Sequence, residues 1–214
     1  MTVLETIEQE HNFKYPELYK QLDRDGMLSW GQLGPGWFDR EFPRVKDNPP
    51  FLLFAEDFEI IEQEDISGEV AEGMLFADKS HRFVPLGYTG AGDWFAFYYN
   101  LQDGDNVPIV LVYHDSNEAV VMAKNLQDFI FARMLETMLE QDPEYPGLLT
   151  EGDPAANAQN YLRSHAPYLS ARQQEIVARV FAQGVITEDE LRSILEAEID
   201  FEWLDSSFPY QTND

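Results

Sequence analysis

The chain has 214 residues, with 40 Asp plus Glu against 14 Lys plus Arg, so its formal net charge is −26. Apolar residues make up 44% and aromatic residues 14%, which is more than a disordered acidic chain carries. A surface dominated by carboxylates disfavours direct binding to nucleic acid or to an anionic membrane, because both require a basic surface. It favours encounter with a basic protein, although acidity can also serve solubility alone.

The sequence contains no cysteine, which excludes disulfides, thiolate metal sites and cysteine nucleophiles. Residues 1 to 20 carry charges throughout and lack the basic start and apolar stretch of a secretory signal. No apolar run approaches the roughly 18 residues that a membrane span requires. We therefore expect a cytoplasmic protein with no membrane partner.

The N-terminal region predicts two helices and an ordered loop. Thr2 followed by Glu5 is typical of a capping box at a helix start. Pro16 suits the first position of a second helix, which Gly26 ends. The stretch from Trp30 to Pro50 is rich in Gly, Pro and aromatic residues without a clear period, so we interpret it as a loop packed by its own rings.

The middle of the chain predicts strands. The run FLLFAEDFEII from Phe51 begins as a continuous apolar stretch and ends in alternation. Short apolar segments follow, and their spacers are too short for the helical crossovers of a parallel sheet. We therefore expect a largely antiparallel sheet. The predicted segments are MLF at 74–76, FVPL at 83–86, WFAFYY at 94–99, IVLVYH at 109–114 and AVVMA at 119–123.

The C-terminal part predicts helices after a linker. Asn125 begins a helix that runs to about Glu140, and the segment QDPEYPGLLTEGDP then has the prolines and glycines of a linker or strap. Three helices follow, one from Asp153, one from Ser170 and one from Thr187. We predict an α+β domain over residues 1–140, and a linker plus a helical extension that packs on it over residues 141–214.

The glycine-rich stretch GYTGAGDWFAFYYN, residues 87–100, looks at first like a phosphate loop. Asp93 stands where a phosphate would bind, and the residues that follow favour a strand rather than a helix. We interpret the stretch as a turn leading into a central strand that is apolar on both faces. A ligand-stacking platform is the alternative for the exposed aromatic residues, with Tyr88, Trp94 and Tyr98 the candidates at an edge.

No motif for catalysis, metal binding or cofactor binding emerges. The histidines lie far apart in sequence, and the pair His114–Asp115 lacks the spacing of a ligand set or a base with its partners. The helices starting at Ser170 and Thr187 could resemble a helix-turn-helix, but their surroundings are acidic. We predict no catalytic residues, no cofactor and no metal.

The order of elements resembles that of the SUKH superfamily, whose best-known eukaryotic member is the yeast cell-wall assembly regulator. The resemblance covers roughly Tyr15 to Met138. Its most specific piece is the block from Pro85 through Gly92-Asp93 to the aromatic strand, followed by VYHD at 112–115 and LQDF at 126–129. The resemblance implies an α+β domain with a curved sheet flanked by helices. It also implies a non-enzymatic protein, because bacterial relatives mostly act as immunity proteins that neutralise toxins.

The resulting hypothesis is a protein-binding module, an immunity protein that binds a basic toxin domain through an acidic surface. Two alternatives stay open: a housekeeping scaffold that docks a partner through the C-terminal helices, and a small-ligand protein or enzyme with His114, Asp115 and Asp93 in a pocket. The candidate partner-binding residues are eight acids between Glu56 and Glu72, with no base among them, and the edge around the glycine turn. They are Glu56, Asp57, Glu59, Glu62, Glu64, Asp65, Glu69, Glu72, Tyr88 and Asp93.

Overall fold

A computed structural model describes residues 2–140, 146–199 and 202–211. The α-helices in these residues are α1 (Val3–His11), α2 (Glu17–Arg24), α3 (Trp37–Arg40), α4 (Phe42–Val45), α5 (Ile66–Phe76), α6 (Leu126–Glu136), α7 (Pro154–His165), α8 (Ala171–Gln183) and α9 (Glu188–Glu198). The strands are β1 (Glu59–Ile60), β2 (Phe83–Tyr88), β3 (Trp94–Tyr98), β4 (Ile109–Val112), β5 (Ala119–Ala123) and β6 (Ser207–Phe208). The predicted α+β fold class is confirmed.

The chain forms two compact units, each assembled from separate stretches. The first unit comprises Met1–Gly26, Asp57–Leu126 and Phe201–Asp214. The second comprises Met27–Glu56 and Gln127–Asp200. The division that we predicted at residue 140 stays a prediction.

The six strands of the first unit form one antiparallel sheet in the order β1-β2-β3-β4-β5-β6. Strand β3 is central, as predicted, and both of its faces are covered. Ala96 and Tyr98 lie in a buried cluster with residues of β2, β4 and β5, while Phe97 on the opposite face contacts the rings of Tyr15 and Tyr19. The antiparallel sheet predicted from short spacers is confirmed.

The predicted capping boxes are confirmed at the atomic level. The Glu5 amide donates to Thr2 Oγ1 at 3.2 Å, and the Thr2 amide donates to Glu5 Oε2 at 2.8 Å. Thr187 and Glu190 make the same reciprocal pair at the start of α9. Each box satisfies backbone N–H groups that have no partner within the first turn of a helix.

The strand that we predicted to begin at Phe51 is wrong for residues 51–55. The backbone there forms turns, in which the Leu53 amide donates to the Pro50 carbonyl and the Ala55 amide donates to the Leu52 carbonyl. Leu52 has φ +53°, a left-handed conformation that no extended strand contains. The run is continuously apolar because its side chains are buried in the second unit, and burial without a period does not define a strand.

The strand predicted for MLF at residues 74–76 is also wrong, because these residues form the last turn of α5. Ile66, Val70 and Gly73 are buried at helical spacing on the side that packs on β2. Gly68 and Gly73 lower the intrinsic helix propensity, so the segment does not look helical in sequence.

The loop predicted between Trp30 and Pro50 contains two single-turn helices, α3 and α4, and its aromatic residues pack on one another as expected. Trp37 Nε1 donates to the Trp30 carbonyl at 2.8 Å, and the Phe38 and Phe42 rings stack with centroids 5.2 Å apart.

The C-terminal region holds the three predicted helices and one strand that we did not predict. Strand β6 pairs with β5, and Tyr210, which is 2% exposed, joins the buried cluster on that face of the sheet. Part of the predicted linker, residues 141–145, lies outside the described residues. None of the described helices has the length and apolar character that a bilayer span requires.

Candidate functional site

The predicted acidic residues lie on three different features of the structure. Glu59 is on β1, Glu62 and Glu64 lie in the segment between β1 and α5, and Glu69 and Glu72 are on α5. Asp65 occupies the position before the first turn of α5, without a side-chain capping bond. The sequence placed these acids beside a strand, whereas the structure places the last of them on a helix.

Three of these acids gather along one side of α5. Asp65, Glu69 and Glu72 are spaced by four and three residues, so they are neighbours on the helix surface. Tyr88 is at the end of β2, the strand on which α5 packs. Burial and the carboxylates of Glu69, Glu72 and Asp65 raise the pKa of its hydroxyl. We call Asp65, Glu69, Glu72 and Tyr88 the α5 acidic surface.

The raised pKa of Tyr88 reflects two features of this surface, burial of the hydroxyl and the negative charge of its neighbours. The largest contribution is burial, which disfavours the phenolate, and the next is the interaction with the Glu69 carboxylate. The negative charges of Glu72 and Asp65 raise the Tyr88 pKa further. The phenol is therefore a neutral hydrogen-bond donor set among carboxylates, and a cation that approached it would be stabilised by all three.

The predicted acids have no basic partners in the described part of the chain. Among residues 2–140, 146–199 and 202–211, none of the eight acids from Glu56 to Glu72 takes part in an ion pair. Other acids of this protein do pair, for example Glu17 with Arg24 and Glu198 with Arg172. The α5 acidic surface thus carries uncompensated negative charge.

Leu75 is the residue of this region that sequence reasoning missed. Its side chain is 83% exposed and it lies three positions after Glu72 on α5. Single exposed apolar side chains are common on protein surfaces, and this one is distinguished by its place beside the acids of α5. Because we predicted residues 74–76 as a strand, the sequence gave no reason to expect this leucine on the surface.

Two further candidate residues, Asp57 and Asp93, lie at the glycine turn between β2 and β3. The Thr89 amide donates to the Asp93 carbonyl at 2.8 Å, which closes the turn and confirms the prediction of a turn. Gly92 has φ +91°, the left-handed conformation that glycine adopts without strain. Asp57 Oδ1 accepts a hydrogen bond from the Gly90 amide at 2.6 Å, so Asp57 supports the turn.

Asp93 is held by His114 rather than presented to solvent. Its Oδ1 lies 2.7 Å from His114 Nδ1 and accepts the His114 amide at 3.0 Å. Asp93 is 9% exposed, whereas the His114 side chain is 52% exposed. The pair joins the turn to the end of β4 and leaves the imidazole facing solvent.

The same pair belongs to a cluster with the composition of a metal site. Asp93, His114 and Asp115 each offer one ligand atom, and these atoms all lie within 4.8 Å of one another. Such a set could hold a divalent cation. Asp93 Oδ1 already accepts two hydrogen bonds from His114, so this ligand atom is engaged without an ion.

Glu56 differs from the other candidates because it belongs to the second unit. Its side chain is exposed, and its carbonyl accepts a hydrogen bond from Arg133. The remaining candidates all belong to the first unit, in the stretch Asp57–Leu126.

Comparison with known families agrees with the order of elements. The model of the SMI1 / KNR4 family (SUKH-1) matches residues 2–132, which is more than half of the 214 residues. The chain belongs to this family. The SUKH-1 match includes every candidate residue from Glu56 to Asp93, whereas α7, α8 and α9 lie outside it.

SUKH-1 membership is consistent with a protein-binding module of the immunity or regulatory type. No curated protein and no solved structure matches the chain.

Proposed function

We propose that this SUKH-1 chain is an immunity protein that binds a basic toxin domain through the α5 acidic surface and neutralises it. The observation that carries the proposal is the group of unpaired carboxylates around Tyr88, inside the range that matches the family. These unpaired carboxylates thus lie within the family domain.

Charge complementarity supports a basic protein as the partner. A chain with net charge −26 repels nucleic acid, whereas a basic domain is attracted at long range and reaches the surface faster. A toxin that acts on nucleic acid needs cationic groups to bind phosphates. Carboxylates that occupy those groups would block the substrate without any reaction.

The surface also offers contacts that charge alone does not provide. Tyr88 supplies a half-buried ring with a neutral hydroxyl, and Leu75 supplies an exposed aliphatic side chain on the same helix as Glu72. Interfaces commonly combine a few aromatic or aliphatic anchors with a polar rim. We propose that Tyr88 and Leu75 are the anchors and that the acids form the rim.

We propose that the protein acts without catalysis. Asp93 orients His114 through Nδ1 as the acid of a catalytic pair would, but the His114 side chain is 52% exposed, so water is not excluded from it. The absence of cysteine suits a reducing compartment, so we place the complex in the cytoplasm.

The test searches the neighbouring genes for a secreted protein with a basic C-terminal domain and co-expresses that domain with the full chain. We expect the chain to restore growth and to bind the purified domain with an affinity that falls as NaCl rises. The double variant Glu69→Gln/Glu72→Gln should weaken binding by about threefold to tenfold, because two rim charges are removed. Isothermal titration calorimetry measures the affinity.

A matched control is available on α9. Glu188 and Glu196 are exposed acids on a helix of 11 residues, the same length as α5, so Glu188→Gln/Glu196→Gln makes the same change in charge. This control should bind like the unchanged protein. Weakening by the α9 variant alone would instead support the scaffold that docks through its C-terminal helices, and a toxin that is not bound at all would refute the proposal.

A further inference from the structure

A cavity of about 480 Å³ lies in the first unit, away from the residues assigned above. Its walls include Glu8 and Gln9 of α1, Lys14 after that helix, Arg82 just before β2 and Tyr99 just after β3. This volume lies within the range of small-molecule sites, about 300 to 1,000 Å³.

Arg82 is held in a fixed position at this cavity. Its Nη2 donates to the carbonyl of His11 at 2.7 Å and to the carbonyl of Asn12, at the C-terminal end of α1. The guanidinium carbon lies 5.7 Å from the centroid of the Tyr99 ring and 6.0 Å from that of Phe13. These contacts order the guanidinium before any ligand arrives.

Capping of α1 accounts for the hydrogen bonds of only one of the three guanidinium nitrogens of Arg82. A cation at the end of a helix stabilises the last carbonyls, and Nη2 fulfils that role. The other two nitrogens, Nε and Nη1, donate to no residue among those that the structure describes. They are fixed donors that helix capping does not require.

The acidic residue of the cavity is already neutralised. Glu8 is 3% exposed, and its Oε1 accepts from Lys20 Nζ and from the Tyr15 amide, both at 2.8 Å. Its Oε2 accepts from Lys14 Nζ at 2.9 Å. Burial acts to raise the pKa of Glu8, but the bonds from Lys20, Lys14 and Tyr15 outweigh it and the pKa is lowered. Both carboxylate oxygens are therefore occupied.

The local charge of the cavity is opposite to that of the whole chain. Arg82 and Lys14 line the cavity beside the single carboxylate of Glu8, which also pairs with Lys20, in a protein with net charge −26. Donors remain on Arg82 and Lys14, whereas the oxygens of Glu8 do not remain free as acceptors.

We infer that this cavity binds a small anion with a carboxylate or phosphate group, which accepts hydrogen bonds from Arg82 and Lys14. Because Nη2 is used on the carbonyls of α1, Nε and Nη1 each offer a single donor to such a group, and the ammonium of Lys14 adds a point charge. The amides of Gln9 and Gln102 line the same cavity and supply further polar contacts. The site is independent of the α5 acidic surface.

The test is a titration of the full chain followed by NMR at constant ionic strength, with sodium phosphate and sodium citrate as probes and NaCl as reference. We expect saturable shifts of the Arg82 Nε–Hε signal with phosphate, citrate or both, and none with chloride. Binding of only one probe would identify the group that the site selects.

Two variants test the assignment. Arg82→Gln removes the guanidinium, and Gln9→Glu places a negative charge on an exposed residue of the cavity wall without removing a hydrogen bond of the described structure. Each should weaken anion binding by about tenfold, which is the scale of a charge-assisted hydrogen bond. If Arg82→Gln fails to fold because α1 loses its cap, Gln9→Glu decides alone.

The controls make the same changes in charge elsewhere. Arg179→Gln replaces an exposed arginine on α8, and Gln63→Glu adds a carboxylate at an exposed residue between β1 and α5. Both should bind the probes like the unchanged chain. Absence of saturable shifts with both probes, or equal weakening by the controls, would overturn the inference.

Discussion

His165 is a buried side chain that contributes to the pH response of the second unit. Its ring has no solvent exposure, and its Nε2 accepts the Leu52 amide at 3.1 Å. Because Nε2 is an acceptor, the proton of the neutral ring lies on Nδ1, which is 2.8 Å from Ser164 Oγ. Burial lowers the pKa of His165 to about 3.

We predict that this histidine makes the protein less stable as the pH falls below 6.5. The unfolded chain then binds a proton on this residue, whereas the folded chain does not until the pH nears 3. The free energy of unfolding should therefore fall by about 1.4 kcal/mol per pH unit from this group alone. Urea denaturation at pH values between 7 and 4 measures it.

The variant His165→Gln separates this effect from the titration of carboxylates. Its amide oxygen can accept the Leu52 amide, but it binds no proton. It should be less stable than the unchanged protein at pH 7 and show a shallower decline with acid. Parallel curves for the two proteins would contradict the assignment of a neutral buried histidine.

Leu52, the partner of His165, also shows why part of the fold could not be predicted at the residue scale. The apolar run around it indicates burial correctly, since Phe51, Leu52 and Leu53 are at most 1% exposed. The Leu52 amide, however, donates to a histidine 113 residues away in sequence, where an extended strand would pair with a neighbouring strand. No local pattern contains that information.

At the scale of elements, α5 connects the fold to the candidate site, and its two glycines have opposite roles. A Cβ on Gly73 would lie 2.7 Å from the Pro85 ring and 3.1 Å from Trp94, whereas a Cβ on Gly68 would meet nothing within 4 Å. Close approach of α5 to β2 therefore requires glycine at position 73 only.

We predict that Gly73→Ala destabilises the protein by about 1 to 3 kcal/mol, because the added methyl overpacks the contact with a rigid proline ring. Gly68→Ala should instead stabilise it by about 0.5 to 1 kcal/mol, because alanine has the higher helix propensity. Urea denaturation of both variants measures the difference. Equal effects of the two substitutions would show that α5 does not pack on β2 as closely as described.

The candidate site was predictable only in part, and α5 shows the limit. The density of acids between Glu56 and Glu72 identified the charged stretch, and the resemblance to SUKH domains identified its family. The helix that aligns Asp65, Glu69 and Glu72 was not predicted, because its glycines conceal the helical period. Because residues 74–76 were predicted as a strand, the exposure of Leu75 was not predicted either.

At the scale of the whole molecule, local signals predicted the elements better than their assembly. Capping boxes, turn glycines and short apolar runs lie within a few residues of one another, so they are readable in sequence. Assembly of each unit from separate stretches depends on contacts between distant residues. The two-residue strand β6 is too short to show a period, and only its pairing with β5 reveals it.

Tyr210, near the end of the described residues, is buried against the sheet of the first unit and is part of its core. The ring contacts Phe76 and Phe83, and the hydroxyl oxygen lies 2.7 Å from the carbonyl oxygens of both Tyr113 and Ser116, which share its single proton. Removing residues 143–214 to test the C-terminal helices would therefore also remove part of the core. Substitutions on α9 test the helices without this loss.

We predict that ending the chain at Ser206 destabilises the first unit by about 3 to 5 kcal/mol, because a buried aromatic side chain is lost from the sheet. Tyr210→Phe retains the ring and loses only the hydroxyl, so it should cost about 1 to 2 kcal/mol. Chemical denaturation of both variants and of the unchanged protein, followed by circular dichroism, measures these losses. Unchanged stability after truncation would mean that β6 and Tyr210 contribute nothing to the sheet. The larger loss on truncation than on Tyr210→Phe that we expect would show that this C-terminal segment stabilises the sheet of the family domain, although it lies outside residues 2–132.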